Sequence, residues 1–133
     1  MPYVDGFVMA VPTANKDRFI AHASTGDDVF IRNGATRVLE CWGDEVPDGT
    51  LTDFRRAVQA KEEENVVFSW IEWPDKATRD ESWAKIMADP DMQPDHGNMP
   101  FDGKRMFWGG FDKLVDSAEQ AAAPAERELA SAK

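Results

Sequence analysis

The sequence contains one cysteine, one tyrosine and comparatively few basic residues. A single cysteine excludes an intrachain disulfide, and this favours a reducing compartment. Fifteen Lys and Arg stand against twenty-five Asp and Glu, so the formal net charge is −10. Because phosphate backbones and anionic lipids repel such a chain, we expect neither nucleic acid nor a membrane surface among its partners.

Long apolar runs are also absent. No stretch approaches the roughly 20 apolar residues that are needed to cross a bilayer. The N-terminal segment MPYVDGFVMAVP has neither the basic start nor the cleavage site of a secretory signal. These absences predict a cytoplasmic protein. The composition suits one domain with a hydrophobic core, since the 133 residues are 42% hydrophobic.

The apolar residues that are present indicate alternating strands and helices. Strand patterns occur in four segments, at 3–11, 35–43, 66–73 and 105–115. Two amphipathic helices follow the first and third strands, and a short helix is expected between 52 and 65. The order predicts an α+β ferredoxin-like βαββαβ fold, a four-stranded antiparallel sheet with two helices on one face. Residues 1–116 would form this single domain, and 117–133 an alanine-rich C-terminal tail.

The strand sequences also predict self-association. Two helices cover only one face of the sheet, yet the first, third and fourth strands carry large apolar side chains on both faces. An uncovered face of this kind is too apolar for a monomer. We therefore expect a homodimer in which two sheets pack into a dimeric α/β barrel. The alternative is a monomer whose 44–65 insertion or C-terminal tail covers the face.

Four blocks of sequence resemble one bacterial family. They are YVDGFVMAVP, ECWGDEVPDG, TDFRRAVQAKEEENVVFSWIEWP and MPFDGKRMFWGGF, and they resemble the YbaA-like family of unknown function over about residues 2–116. The resemblance implies the dimeric α/β-barrel superfamily, which includes cofactor-independent monooxygenases, small isomerases and haem-dependent proteins. Because the family has no assigned reaction, the resemblance implies no catalytic residues.

Nucleophilic and metal-binding chemistry have little support in the sequence. A reactive cysteine needs a neighbouring cation or histidine to lower its pKa, whereas Cys41 lies in an acidic stretch with no histidine within ten residues. We expect Cys41 to be a small buried core residue. His22, His96 and Cys41 do not have the spacing of metal ligands, so neither a metal nor an organic cofactor is predicted.

Charged residues inside apolar strands are better candidates for a site. Burying a charge is costly unless it is paired. Glu40 shares a strand face with Trp42, and Glu72 shares one with Trp70. Two carboxyls flanked by aromatic rings could act as an acid of raised pKa and its partner base. The alternative is that they make structural ion pairs with arginines at the strand ends.

The candidate ligand-binding residues are charged or aromatic and lie in the strands, the short helix and the loop before the last strand: Glu40, Trp42, Arg55, Trp70, Glu72, His96, Arg105 and Trp108. They predict a protein that binds a small molecule and is potentially a cofactor-independent enzyme. The alternative is a non-catalytic dimeric binding or stress-related module. A solvent-open pocket that holds at least two of Glu40, Glu72, His96 and Arg105 would favour the first function. Scattered charges around a solid interior would favour the second.

Overall fold

A computed structural model describes residues 1–92 and 99–118. Its elements follow in chain order: β1 (Tyr3–Pro12), α1 (Lys16–Arg32), β2 (Arg37–Trp42), α2 (Phe54–Ala57), β3 (Glu64–Trp73), α3 (Lys76–Ala88) and β4 (Phe107–Asp112). The predicted tail falls outside the described residues from 119 onward, so the proposed domain boundary at 116 stays a prediction.

The four strands form one sheet in the order β2-β3-β1-β4, and each neighbouring pair is antiparallel. Strand β3 lies between β1 and β2, so the β1-α1-β2 and β3-α3-β4 units interleave. This arrangement confirms the ferredoxin-like α+β fold that the sequence predicts.

Local interactions explain where the two long helices begin and how α1 continues. Helix α3 begins after Asp75, whose carboxylate accepts a hydrogen bond from the Thr78 amide at 2.7 Å. Helix α1 begins at Lys16, after a 3-10 turn at Thr13–Asn15. It runs unbroken through its polar middle, where the Ser24 hydroxyl donates to the Ile20 carbonyl at 2.7 Å.

Helices α1 and α3 cover the face of the sheet that carries Phe7, Met9, Ser69 and Ile71, and we call this the helix face. The core between the layers is a cluster of buried residues: Tyr3, Val29, Phe30, Ala35, Ile71, Trp73 and Ile86. The helical spacing in α3 predicts Met87 on the buried side, but its side chain is 68% exposed. Ile86 is buried, as the same spacing predicts, and Ser82 is also buried.

The opposite side of the sheet is covered at one end only. Val58, which follows α2, is buried against Val8, Ala10 and Val66. The remainder, which we call the open face, exposes three phenylalanines of the sheet by 43–60%: Phe68, Phe107 and Phe111. Phe54 of α2 lies beside this face, with its ring centre 5.9 Å from that of Phe68. The 44–65 insertion therefore covers part of this side and leaves an apolar patch.

Cys41 lies on the same side of β2 as Leu39, opposite Phe68 in the register. Its side chain is exposed in the isolated chain, so the prediction of a buried core cysteine is wrong. The physical reason is that β2 turns this side chain away from the helices. Separately, none of the helices in the described ranges is long and apolar enough to span a membrane.

Candidate functional site

A cavity of about 460 Å³ lies between α1 and the helix face of the sheet. Small residues create it: Ala23 and Gly26 on α1 and Ser69 on β3 leave space that larger side chains would fill. Phenylalanines, methionines and one tryptophan form most of the wall. His22 and Met99 line the cavity and are exposed, so the cavity opens to solvent beside them.

Glu40 is the acidic residue that β2 contributes to this wall. The register places Glu40 directly opposite Ser69, so the serine hydroxyl lies on the same face of the sheet as the carboxyl group. Across the cavity wall, α1 supplies Asp27, whose side chain is hydrogen-bonded to Glu40. Strand pairing and one helix thus bring three polar side chains together in an otherwise apolar space.

The electrostatics of this pair favour a retained proton. Burial, followed by the charge of Asp27 and the hydrogen bond to it, raises the pKa of Glu40 to about 8. Burial also raises the pKa of Asp27. The Glu40 residue as a whole is exposed, so this carboxyl lies at the solvent-open side of the cavity, and the neighbouring protein groups still desolvate it in part. At neutral pH the Glu40 carboxyl therefore keeps its proton.

The cavity supplies no basic partner for these carboxyls. In the ranges that the structure describes, neither Lys nor Arg lines the cavity. His22 does line it, but burial lowers the pKa of its imidazole, so His22 is neutral at pH 7. The negative charge on the carboxyl pair is consequently not balanced by a protein cation inside the cavity.

A smaller pocket of about 250 Å³ lies on the other side of the carboxyl pair. We call it the outer pocket, and its wall includes Lys16, Ser24 and Trp42. The Lys16 ammonium lies 5.4 Å from the centre of the Trp42 ring. Since Asp27 and Glu40 line both spaces, they form part of the partition between cavity and outer pocket.

A second carboxylate on the helix face has a very different environment. Asp5 is 0% exposed and accepts hydrogen bonds from Arg79 Nε at 3.0 Å and Nη2 at 2.8 Å. The indole nitrogens of Trp73 and Trp83 also donate to it, at 2.9 and 3.3 Å. The Arg79 guanidinium lies 5.8 Å from the centre of the Trp108 ring. Asp5 is thus fully paired, and it helps to orient Trp83, which lines the cavity.

The structure separates the two glutamates that the sequence singles out. Glu40 faces the cavity, while Glu72 lies on the opposite side of the sheet, paired with Arg37 across β2 and β3. There Glu72 accepts a hydrogen bond from the Trp70 indole at 3.0 Å. Trp42 lies on the same side as Glu40 but lines the outer pocket.

The two candidate arginines are used by the fold. Arg55 donates to the backbone carbonyls of Lys61 and Glu64 at 2.8 and 2.9 Å. Arg105 makes a bidentate pair with the Glu64 carboxylate, with both distances at 2.6 Å. Because of this pairing, the pKa of Glu64 falls to about 2. Neither arginine lines the cavity.

Two candidates remain to be placed. Trp108 is 54% exposed and stacks on Phe7 with ring centres 6.1 Å apart, so it supports the cavity wall from outside. His96 lies outside the described residues. Of Glu40, Glu72 and Arg105, only Glu40 lines the cavity, but the interior is not packed solid. Among the described residues, one of the four charges named for a ligand site thus lines the cavity, and the solid interior expected for the alternative is not found there.

Asp27, Ser69 and Asp5 are the polar residues of this region that sequence reasoning missed as site residues. A signal for Asp27 exists, because it lies four residues after Ala23 and eight after Phe19, on the inward stripe of α1. Within the described ranges, no group of three or more potential ligands is arranged to hold a metal ion.

Fold and cavity together define a ferredoxin-like α+β protein with a ligand-sized space between its sheet and first helix. The chain belongs to the family described as "Protein of unknown function (DUF1428)", whose model matches residues 2–103. It is 53% identical over 116 residues to the uncharacterized protein YbaA of Escherichia coli K12, covering 87% of this chain and 99% of that protein. The match to YbaA of Shigella flexneri has the same extent. The family resemblance noted in the sequence is confirmed.

Solved structures with this fold are more distant in sequence. A mutant of SnoaB, a cofactor-independent oxygenase from Streptomyces nogalater, has a TM-score of 0.55 at 14% identity, covering 86% of this chain and 95% of that one. A dimeric ferredoxin-like protein from an uncultured marine organism has a TM-score of 0.51 at 14% identity, covering 86% and 96%. At this identity the likeness establishes the fold alone.

Proposed function

We propose that the protein binds a small, largely apolar molecule in the cavity and that Glu40 is the polar group that this molecule meets. The observation that carries the proposal is the Glu40–Asp27 pair on the wall of a 460 Å³ cavity lined mainly by aromatic and thioether side chains. Ligand pockets commonly measure about 300–1,000 Å³ and combine apolar walls with a few convergent polar groups.

The same pair supports a catalytic form of the proposal. A carboxylic acid that keeps its proton near neutral pH, as Glu40 does, can donate that proton to a bound molecule, and Asp27 is the carboxyl beside it that could take one up. Ser69, directly opposite Glu40 in the register, is the hydroxyl placed to interact with this carboxyl. The oxygenase SnoaB has the same fold, but at 14% identity its reaction is not transferred to this chain. The reaction class we propose is therefore acid–base chemistry without an organic cofactor.

The alternative function, a non-catalytic module, has support from other charges. Arg55, Arg105 and Glu64 pair with one another or with backbone groups and hold the loop before β3. Glu72 pairs with Trp70 on the other side of the sheet. These residues serve the fold, so the case for a ligand depends on the cavity alone.

A neutral fluorescent probe tests occupation of the cavity. N-phenyl-1-naphthylamine becomes fluorescent in apolar sites, and we expect saturable binding to the parent protein. Gly26→Leu would fill the cavity, because a Cβ at Gly26 already lies 3.6 Å from the Met92 sulfur. Ala21→Leu is the matched control, since Ala21 is exposed on the same helix.

We expect Gly26→Leu to weaken probe binding at least tenfold and Ala21→Leu to leave it unchanged. Circular dichroism and a thermal melt would establish that both variants are folded. Equal binding by the parent and Gly26→Leu would contradict the proposal, because the probe would then occupy some other surface, such as the open face.

We further propose that the open face joins a second copy of the chain in a homodimer. Phe68, Phe107 and Phe111 are 43–60% exposed on one continuous side of the sheet. The Phe111 ring lies close to the backbone at Gly6 and Gly109, where a Cβ would be 3.8 and 3.3 Å from it. The resulting patch is flat and apolar, which suits a self-complementary two-fold interface. One structural neighbour is described as dimeric.

Light scattering tests this association. We expect a particle of twice the 14.9 kDa chain mass at micromolar concentration. Phe111→Glu should yield monomers because it places a charge in the middle of the apolar patch. Leu51→Glu is the control, since Leu51 is 93% exposed in the insertion. A parent protein that measures 14.9 kDa would contradict the dimer.

A further inference from the structure

The wall of the cavity has a composition that matches one class of ligand. Five aromatic rings line it: Phe7, Phe19, Phe30, Trp83 and Phe101. Four thioethers join them: Met9, Met92, Met99 and Met106. Aromatic faces attract cations electrostatically, and thioether sulfur is polarizable and adapts to irregular shapes. This wall therefore accepts an apolar body and also tolerates positive charge.

The carboxyl pair places negative charge at one point of this wall. Asp27 and Glu40 are hydrogen-bonded to each other, and no basic side chain among the described lining residues balances them. Apart from the pair itself, the charged or titratable residues that line the cavity or the outer pocket in the described ranges are His22 and Lys16 of α1 and Cys41 of β2. His22 is neutral at pH 7, and Lys16 lies over the Trp42 ring in the outer pocket.

Asp5 shows how this fold neutralises a carboxylate that has only a structural role. It receives two bonds from the Arg79 guanidinium and two from indole nitrogens. Among the described residues, the carboxyl pair beside the cavity has no equivalent cation, and Ser24 is the α1 residue that lines the outer pocket next to it. The missing counter-charge lies next to an open space, and a ligand can supply it there.

We propose that the cavity takes an organic ammonium ion carried on an apolar, preferably aromatic body, with the ammonium group beside Asp27 and Glu40. The inference rests on the proposed binding function and names the chemical class of the ligand. The body fills the space between Phe30, Trp83 and Phe101, while the positive charge pairs with the carboxyls. A neutral ligand that accepts a hydrogen bond from protonated Glu40 is the competing occupant.

This ligand class has a measurable consequence for protons. When the cation binds, the proton on Glu40 leaves to the buffer and the carboxylate remains to pair with the ammonium. Binding and ionisation are linked, so each favours the other. Affinity for a cation should therefore rise with pH, by up to about tenfold per unit, until Glu40 is ionised and then become constant.

Two probes that share a naphthylmethyl group but differ in charge separate the contribution of charge to binding from that of shape. Trimethyl(1-naphthylmethyl)ammonium is a permanent cation, so any proton released on binding comes from the protein. The neutral counterpart is 1-naphthylmethanol. Calorimetry at pH 8.5 should show the cation binding at least tenfold more tightly than the alcohol. At pH 7, titrations in two buffers of different ionisation enthalpy should reveal proton release.

Substitutions at Asp27 and Glu40 test whether this carboxyl pair causes the preference for the cation. Glu40→Gln with Asp27→Asn keeps the shape of the wall and removes its charge, and we expect the preference for the cation to fall below about threefold. Glu72→Gln is the matched control, because Glu72 lies on the other side of the sheet. The double variant should still bind 1-naphthylmethanol, which shows that its cavity is intact.

The outcomes are distinguishable. If the alcohol binds the parent as tightly as the cation does, the ammonium inference is overturned and the proposed binding function stands. If neither probe binds, the ammonium inference and the proposed binding function both fail. If the double variant keeps the full preference for the cation, the carboxyl pair is not its counter-charge, and the inference is again overturned.

Discussion

Asp5 and Glu40 lie on the same face of one sheet, and the fold treats them in opposite ways. Asp5 is completely buried and accepts four hydrogen bonds, two of them from the guanidinium of Arg79. Glu40 has a second acid, Asp27, as its neighbour, and its pKa rises to about 8. The difference separates a carboxyl that serves the fold from one that we propose meets a ligand.

The cost of burial explains the contrast. A buried charge is tolerated when a partner charge and hydrogen bonds replace water, as at Asp5. Where the partner is missing, the group keeps its proton instead, as Glu40 does. A protein selected for stability alone has no reason to place two acids beside an empty space. Four variants each change one carboxyl or its partner, and they are ordered from the largest expected effect on the protein to the smallest.

Arg79→Met should have the largest effect because it leaves Asp5 buried without its cation. Removing one partner of a buried pair typically costs about 3–5 kcal/mol of unfolding free energy. Urea denaturation of the parent and the variant at pH 7 would measure the loss. Lys85→Met is the control on the same helix, where an exposed pair with Glu81 at 3.5 Å should contribute little. A loss below about 1 kcal/mol would show that Asp5 does not depend on Arg79.

Arg105→Met should lower the free energy of unfolding by a smaller amount, and this loss should disappear at acid pH. Pairing with Arg105 lowers the pKa of Glu64 from 4.5 to about 2 in the folded state. The folded chain therefore binds fewer protons than the unfolded chain in this window, so the stabilisation is complete above about pH 4.5 and lost toward pH 2. We expect parent and variant to differ most at neutral pH and to converge in acid. Arg37→Met, at an exposed pair 4.0 Å from Glu72, should show no such convergence.

Glu40→Gln should change the pH dependence of stability in the direction opposite to that of Arg105→Met. The folded-state pKa is raised from 4.5 to about 8, so the folded chain binds more protons than the unfolded chain between these values. The contribution of Glu40 is complete below about pH 4.5 and is lost as the pH rises to about 8. Denaturation midpoints at pH 5 to 9 should fall more steeply for the parent than for the variant. Parallel curves would mean that Glu40 is ionised in the folded protein.

Much of this fold follows from the sequence because it depends on local patterns. Strand β1 carries apolar residues on both of its faces, which is the pattern of a buried strand. Asp75, directly after Pro74, marks the start of a helix. Such signals make the order of the elements and the fold class predictable. The uncovered apolar face follows from the same alternation. These features need only neighbouring residues in the chain, which the sequence displays directly.

The site depends on pairings between distant segments, and these are not visible in the sequence. Glu40 and Glu72 look alike, each with a tryptophan two residues away, yet the register of β2 on β3 turns them to opposite sides. Asp5 meets Arg79 across 74 residues of chain. Cys41 is exposed for the same reason, because the register of β2 turns it away from the side that α1 and α3 cover. Which charge is paired is thus decided by tertiary structure.

Ser24→Lys should give the carboxyl pair of Asp27 and Glu40 a positively charged partner. Of the four variants, we expect this one to change the protein least. Ser24 lies on α1 three residues before Asp27 and lines the outer pocket together with Glu40. A lysine ammonium there would stabilise the ionised carboxyls, as Arg79 stabilises Asp5, and lower the pKa of Glu40 by about one unit. The carboxyl ¹³C shift of Glu40, followed by NMR against pH, measures this directly. Ala21→Lys adds the same charge on the exposed side of the helix and should leave the titration in place. If both lysines move it equally, the effect is one of net charge, and the contrast between Asp5 and Glu40 does not arise from specific pairing.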